Sequence, residues 1–85
     1  MAYPILLRPA AVRDLKALPS DLRARIDKAI DRLAEDARPP GSRKLAGAKD
    51  EWRLRVGDYR VLYMVNDSEH QVVVARIAHR REAYR

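Results

Sequence analysis

Apolar and polar residues alternate most regularly in the middle of the chain. In Trp52–Val56, three apolar side chains alternate with two arginines, which is the period-two pattern of a half-buried β-strand. Gly57–Asp58 follows and predicts a two-residue turn, because glycine tolerates the positive φ that hairpin turns require. A second strand is expected over Tyr59–Val65, so the whole segment predicts a β-hairpin.

A two-residue turn fixes the register of this hairpin and therefore the face on which each side chain lies. Val56 would pair with Tyr59, and Arg55 would lie directly opposite Arg60. The pleat then puts Arg53, Arg55 and Arg60 on one face and the apolar residues on the other. Like charges directly opposite each other are destabilising by a fraction of about 1 kcal/mol. The pattern therefore predicts either an anion site or an ordinary solvated arginine face.

Two helices are predicted ahead of the hairpin, after a short first strand at Tyr3–Arg8. Pro9 suits the first position of a helix, and Pro19 ends it. Ser20 is expected to cap a second helix over Asp21–Asp36. Apolar residues recur at helical spacing in both segments, so each helix would bury one face. The charges on the other face of the second helix would be solvated and form intrahelical ion pairs.

The remaining segments complete a two-layer α+β fold. Residues 38–42 break the second helix, and residues 43–50 are predicted to form a loop. After a turn at residues 66–70, Gln71–Ala78 is nearly continuously apolar, which indicates an interior strand covered for much of its length on both faces. Residues 79–85 predict about one helical turn. The order β-α-α-β-β-β favours two helices packed on one face of a mainly antiparallel sheet, with the arginine face left open.

Composition restricts the classes of protein that fit. The 85 residues carry 18 Lys and Arg against 12 Asp and Glu, a net charge of +6, which indicates an acidic or nucleic-acid partner. The length predicts one domain over residues 1–85. The absence of cysteine excludes disulfides and thiolate metal sites. Without a long apolar run or a signal-peptide pattern, we expect no membrane span and a cytoplasmic location.

Arginine dominates the residues that could carry chemistry. Arg53, Arg55 and Arg60 share the open face, and Arg80 follows the last strand. An arginine grips phosphate bidentately and stays protonated, so it stabilises negative charge but is a poor base. Tyr84, one helical turn after Arg80, could act as a base if neighbouring cations lowered its pKa from about 10. This set suits RNA cleavage by the 2′-hydroxyl, which needs no metal ion.

The other ionisable residues have plainer interpretations. His70 lies in a predicted turn and is expected to be solvated, whereas His79 could transfer a proton, contact phosphate or face solvent. Asp58 fits a turn, and Glu82 fits an arginine partner. Neither histidine has a companion that would make a metal site, so no metal is expected. No Ser-His-Asp, P-loop or GxGxxG pattern is present.

Three segments resemble a known family. Lys44–Gly47 (KLAG), Trp52–Tyr63 (WRLRVGDYRVLY) and His79–Arg85 (HRREAYR) are similar to the RelE branch of the RelE/ParE toxins, the toxin halves of bacterial type II toxin–antitoxin pairs. The resemblance also covers chain length and element order. It implies a microbial-RNase-like fold and metal-independent cleavage of mRNA in the ribosomal A site, which inhibits translation. It further implies neutralisation by a cognate antitoxin in a hetero-oligomer, and binding of operator DNA only as that complex.

The resemblance also implies roles for individual residues. Arg60 would stabilise the scissile phosphate, Arg80 would stabilise the transition state or the leaving group, and Tyr84 would orient or activate the 2′-hydroxyl. The catalytic residues implied are Arg55, Arg60, Arg80 and Tyr84. The RNA contacts implied are Lys44, Arg53, Arg55, His79 and Arg81. No cofactor and no membrane partner are expected.

Arg53 and Arg55 depart from the family pattern, because the best-studied members carry two lysines there. Lysine can be tuned to shuttle protons and arginine hardly can, so proton transfer would fall to Tyr84 or His79. Three alternatives stay open: a ParE-type toxin that inhibits DNA gyrase without being a nuclease, a plain basic nucleic-acid-binding module, and a degenerate toxin retained in a repressor complex. The same fold serves different activities, so fold cannot separate them.

Overall fold

The computed structural model describes residues 3–45 and 50–83, which form a five-stranded sheet with two helices against one face. In chain order the elements are β1 (Ile5–Leu7), α1 (Pro9–Lys16), α2 (Ser20–Glu35), β2 (Ser42–Lys44), β3 (Glu51–Val56), β4 (Tyr59–Asn66), β5 (Gln71–His79) and α3 (Arg80–Ala83). The strand order is β1-β5-β4-β3-β2, with β1 parallel to β5 and the other neighbours antiparallel. This confirms the predicted α+β architecture. No helix in the described part of the chain is long and apolar enough to cross a membrane.

The central hairpin has the register that a two-residue turn dictates. Arg55 lies directly opposite Arg60, and Leu54 lies opposite Val61. Leu54 and Val61 are buried in the core with the helices. The arginines therefore lie on the opposite face of the sheet, as predicted, because paired residues share a face and successive residues alternate.

The core lies between the helices and the apolar face of the sheet. Helix α2 contributes Ile26, Ile30 and Leu33, which the helical repeat brings onto one stripe. Tyr63 of β4 is 1% exposed, and its hydroxyl donates a hydrogen bond to the carbonyl of Ala37 at 2.8 Å. Burial raises the pKa of Tyr63. The phenol is thus held neutral and hydrogen-bonded inside the core.

Two local predictions are wrong. The segment expected to be a loop contains β2, whose three polar residues show no alternation and are held by pairing with β3 at the sheet edge. Residues 46–49 of that predicted loop lie outside the described residues. Ser20 does not cap α2 but is its first residue, and Pro19 occupies the capping position. Proline has no side-chain acceptor, so this helix begins without a side-chain cap.

Strand β5 lies between β1 and β4, which confirms its predicted interior position. Its residues Val72, Val74 and Ile77 are buried in the core with the helices. On the other face Val73 is only half-buried and Arg76 is exposed. Ala78, opposite Arg60 on that face, is buried. The prediction that β5 is covered for much of its length on both faces therefore holds on the helix side and only in part on the other, because both helices pack on the same side.

The salt bridges of the described residues join separate elements. Arg38, after α2, pairs with Asp67 in the β4–β5 turn at 2.8 Å. The hydroxyl of Tyr3 donates to the same carboxylate at 3.1 Å, and the guanidinium of Arg38 lies 5.2 Å from the ring centroid of Trp52. The intrahelical pairs expected in α2 are not formed, since the bridges of the described part are Arg38–Asp67 and the pair of Asp14 with Arg76.

Asp14 of α1 accepts a backbone hydrogen bond from β5 beyond the point where β1 ends. β1 pairs with β5 only as far as Leu7, opposite Val74. Beyond this point Asp14 accepts hydrogen bonds from the backbone N–H of Ile77 at 2.9 Å and from Nε of Arg76 at 2.8 Å. The carboxylate thus covers a strand edge that would otherwise present a bare donor. Burial alone would raise the pKa of Asp14, but the hydrogen bonds and the charge of Arg76 lower it.

Asp14→Asn should remove this ion pair while leaving an amide oxygen to accept from Ile77. The folded-state pKa of Asp14 is lowered below its unfolded value of about 4, so its stabilisation is present above that value. It is lost as the pH falls through the folded-state pKa. We expect the wild type to be more stable than the variant by about 1 kcal/mol at neutral pH, and the difference to vanish in strong acid.

Urea unfolding followed by circular dichroism over a pH series measures this difference. Asp27→Asn, exposed on α2 and outside the salt bridges of the described residues, is the matched control and should change stability by less than about 0.5 kcal/mol. A difference between wild type and Asp14→Asn that stays constant with pH would show that the ion pair is not its source.

Candidate functional site

The open face of the sheet carries a cavity of about 520 Å³ with a strongly basic lining. Its lining residues are Gly41, Ser42, Arg43, Arg53, Arg55 and Arg60. No carboxylate belongs to this lining, as far as the described residues go. A concave surface of this charge attracts anions, and guanidinium groups in particular match the oxygen geometry of phosphate. We refer to this cavity with its four arginines as the arginine cavity.

Strand pairing explains how the four arginines converge. Arg55 lies directly opposite Arg60 across β3 and β4, and Arg43 lies directly opposite Arg53 across β2 and β3. Each pair places like charges face to face, which is destabilising by a fraction of about 1 kcal/mol. Two such pairs around one cavity are difficult to explain as ordinary surface, and they favour the anion-site interpretation of the sequence.

Arg43 was not among the residues predicted from the sequence. A residue in a predicted loop has no assigned face, and the three residues of β2 carry no apolar alternation that would reveal a strand. The sequence held only an indirect signal for Arg43. If a short strand ahead of the hairpin pairs with β3, its middle residue can lie opposite Arg53, as Arg43 does. Lys44, which was predicted to contact RNA, lies instead opposite Trp52. It is therefore placed on the helix side of the sheet, away from the arginine cavity.

Arg60 is the most enclosed of the four, with only 9% of its surface exposed. Its Nη1 donates to the carbonyls of Gly57 at 3.1 Å and of Tyr59 at 3.0 Å. Burying a charged group is costly unless it is hydrogen-bonded, and the hairpin turn supplies these acceptors. The guanidinium is thereby fixed in place before any ligand arrives, which is the arrangement that stabilises developing charge most effectively.

The hairpin turn also organises its surroundings. Gly57 has a φ of +59°, and the Arg25 guanidinium of α2 packs against it, with Nη2 3.4 Å from the place that a Cβ would occupy. The carbonyl of Asp58 accepts a hydrogen bond from the backbone N–H of Arg80 at 2.7 Å. The turn therefore fixes both Arg60 and the first residue of α3.

The other predicted site residues that the structure describes are not part of the cavity lining. Arg80 and Arg81 are both exposed at the start of α3, and the backbone N–H of Arg81 donates to Nδ1 of His79 at 3.3 Å. His79 pairs with Tyr59, and the two rings meet edge to face at 5.4 Å. Because Tyr59 belongs to the helix-side face, the strand register places His79 on the opposite face from Arg60.

The remaining candidates are distributed as follows. Tyr84 lies outside the described residues, so its role stays a prediction. Asp58 is a turn residue, as expected, and the side chain of Glu82 is not described. His70 lies in the β4–β5 turn with its ring against Tyr3 at 5.3 Å. Among the described residues, no three His, Asp or Glu side chains form a group that could hold a metal ion.

Comparison with known proteins gives consistent matches over nearly the whole chain. A family model described as the ParE toxin of the type II toxin–antitoxin system, parDE, matches residues 5–84. The chain is 35% identical to Toxin RelG of Mycobacterium tuberculosis, an alignment that covers 100% of this chain and 99% of the relative.

Solved structures share the fold. The archaeal RelE–RelB complex from Pyrococcus horikoshii contains a chain that matches with a TM-score of 0.85 and 29% identity, over 96% of this chain and 99% of that one. The toxin–antitoxin complex RelBE2 from Mycobacterium tuberculosis matches with a TM-score of 0.82 and 26% identity, over 93% and 99%. The similarity thus includes the sheet and both helices that position the arginine cavity.

Gly57→Ala should destabilise the protein by about 1 kcal/mol or more, because an L side chain disfavours a φ of +59°. Asp58→Ala is the matched control, since Asp58 contributes its backbone carbonyl to the contact with Arg80, and it should change stability by less than about 0.5 kcal/mol. Urea denaturation measures both. Equal stability of the two variants would contradict the role assigned to the turn.

Proposed function

This chain belongs to the RelE/ParE family of toxins from type II toxin–antitoxin systems, and we propose that it is an endoribonuclease that cleaves mRNA in the ribosomal A site. The observation that carries the proposal is the arginine cavity, in which Arg60 is buried and held by two backbone carbonyls. Such a site suits a reaction in which negative charge develops on phosphate oxygens.

The reaction would be an internal transfer on the RNA strand. The 2′-hydroxyl loses its proton, its oxygen attacks the adjacent phosphorus, and the bond from phosphorus to the 5′-oxygen breaks. The leaving 5′-oxygen takes up a proton from solvent, so the products are a 2′,3′-cyclic phosphate and a 5′-hydroxyl. Charge increases on the non-bridging oxygens as the pentacoordinate state forms. The four permanently charged guanidinium groups of the cavity would stabilise that charge.

Arg60 would be the principal contact of the scissile phosphate, because its side chain is fixed by the turn. Arg53 and Arg55 would bind the same phosphate or its neighbour, and Arg43 joins them as an additional contact. Arg80 would act from α3, whose first turn is tied to the hairpin through Asp58. Arg80 would contact the leaving 5′-oxygen of the substrate or stabilise the charge that develops in the transition state.

Proton transfer is the step that arginine serves poorly, since a guanidinium group stays protonated at neutral pH. Of the two candidates, His79 is placed by the strand register on the face opposite Arg60 and packs against Tyr59. We therefore propose that Tyr84, the residue that follows α3 in the sequence, accepts the proton of the 2′-hydroxyl. A phenol has an ordinary pKa of about 10, and nearby guanidinium groups would lower it.

The partners follow from the same family membership. RelE chains of Pyrococcus horikoshii and Escherichia coli are found in complexes with RelB antitoxins, and we propose that a cognate antitoxin binds this chain and neutralises it. Operator DNA would be bound by that complex and not by the toxin alone. The site of action would be the cytoplasm, where ribosomes translate mRNA.

A ParE-type activity is the second candidate, because the family model that matches is described as a ParE toxin. Such a toxin would stall DNA gyrase on DNA and would not use the arginine cavity as a phosphate-transfer site. The two activities differ in what the cavity residues do. Substitutions there would slow RNA cleavage under the first proposal and would leave gyrase inhibition intact under the second.

Arg60→Lys should keep the positive charge but lose the planar fork that grips a phosphate. We expect cleavage of mRNA on programmed ribosomes to slow by about 100-fold or more, the usual effect of removing a preorganised donor. Arg13→Lys, exposed on α1, is the matched control and should cleave as fast as the wild type. Primer extension maps and quantifies the cuts.

Arg43→Gln extends the test to a residue on the exposed edge strand, where the substitution carries little risk to folding. It should slow cleavage by roughly tenfold, because one of the cations that stabilise the phosphate charge would be removed. Cleavage by both cavity variants at the wild-type rate would exclude the proposed site. A wild type that leaves ribosomal mRNA intact and accumulates gyrase–DNA complexes would establish the second candidate.

A further inference from the structure

A second basic groove of about 380 Å³ lies between α2 and the hairpin. Helix α2 contributes Arg25, Lys28 and Arg32, and the hairpin contributes Arg55. The rest of the lining is uncharged, and no acidic residue belongs to it among the residues that the structure describes. The groove therefore has a positive charge that nothing in its own walls neutralises.

The helical repeat explains the alignment of the three cations of α2. Spacings of three and four residues bring Arg25, Lys28 and Arg32 onto one stripe of the helix. Like charges at such spacings are mildly destabilising to a helix. Within the described residues, 3–45 and 50–83, none of these three cations forms a salt bridge. Lys28 is one of the α2 charges expected on a solvated face; it is exposed, and it lines the groove together with the exposed Arg25 and Arg32.

The groove and the arginine cavity adjoin each other. Arg55 lines both, and Pro40 of the groove is the chain neighbour of Gly41 in the cavity. Four cations line each depression, and Arg55 is common to both, so seven different cations line the two together. A single phosphodiester carries one negative charge, so these cations exceed what one phosphate in the arginine cavity would need.

The lining of the groove indicates how a polyanion would be recognised. Its uncharged residues are small, aliphatic or proline, including Ala29, Pro39 and Val56. No aromatic side chain is among the described lining residues, so the groove offers no platform on which a base would stack. Cations without stacking surfaces recognise the phosphate backbone and not the sequence.

We propose that this groove binds RNA backbone phosphates that flank the phosphate held in the arginine cavity. This inference rests on the proposed ribonuclease function, which makes an RNA phosphate the occupant of the arginine cavity. It adds a second RNA-contact surface on α2. Backbone phosphates reach it from one of two sources, the mRNA strand beside the cut or the ribosomal RNA beside the A site. Both present the same chemistry to Lys28 and Arg32.

Lys28→Gln combined with Arg32→Gln tests the proposal. Arg25 is kept, because its guanidinium packs on Gly57 and its removal would disturb the turn. Lys16→Gln combined with Arg23→Gln, outside both depressions, is the control with the same change in net charge. The probes are a 2′-O-methyl oligouridine, which cannot be cleaved, and vacant ribosomes, each titrated over a range of salt concentrations.

The groove variant should bind oligouridine or vacant ribosomes about tenfold more weakly than the control variant. Its plot of log affinity against log salt should be shallower by roughly 0.7 for each single-strand phosphate that the variant no longer neutralises. Weaker binding to oligouridine alone identifies the mRNA strand as the source, and weaker binding to vacant ribosomes alone identifies ribosomal RNA. Weaker binding to both probes shows that the groove takes backbone phosphates of either RNA. Neither readout requires cleavage, so a failure of the ribonuclease proposal is seen separately in the mRNA assay.

Two outcomes would overturn the proposal. The first is equal affinity of the groove variant and the control variant for both RNA probes at every salt concentration. The second is unchanged RNA binding together with weaker binding of poly-L-glutamate, which would make the groove a docking surface for an acidic polypeptide.

Discussion

The two-residue turn at Gly57–Asp58 sets the geometry on which the rest of the site depends. It fixes the register that places Arg55 opposite Arg60, and a different loop length would move one arginine to the other face of the sheet. Its carbonyl at Gly57 holds the buried guanidinium of Arg60, and its carbonyl at Asp58 holds the first residue of α3. One short segment thus aligns the sheet, the central cation and the terminal helix.

This arrangement creates electrostatic repulsion within a small protein of net charge +6. Two pairs of directly opposed arginines converge on one cavity, and three more cations line the adjacent face of α2. The core on the other side of the sheet is apolar, and the hydroxyl of its buried tyrosine, Tyr63, is hydrogen-bonded. Stability therefore comes from one face of the sheet, and the other is free to concentrate charge for a polyanion.

The hairpin, both helices and the open arginine face could be predicted from the sequence, because each rests on a local rule of periodicity or turn chemistry. Arg43 and the groove on α2 were not predicted, since both depend on contacts between distant segments. β2 is a strand only because β3 pairs with it, and Arg25 reaches the hairpin only because α2 packs across the sheet. The placement of His79 on the opposite face likewise required the register between β4 and β5.

The central claim is that the four arginines of the arginine cavity take a phosphate of RNA. The most direct measurement is the set of arginine Nε–Hε resonances of the ¹⁵N-labelled protein during titration with a dinucleotide that carries 2′-deoxyribose at the scissile position. We predict that the resonances of Arg43, Arg53, Arg55 and Arg60 shift together with a single affinity while those of Arg13 and Arg38 stay in place. Shifts of equal size at all arginines, or shifts confined to arginines outside the cavity, would contradict it.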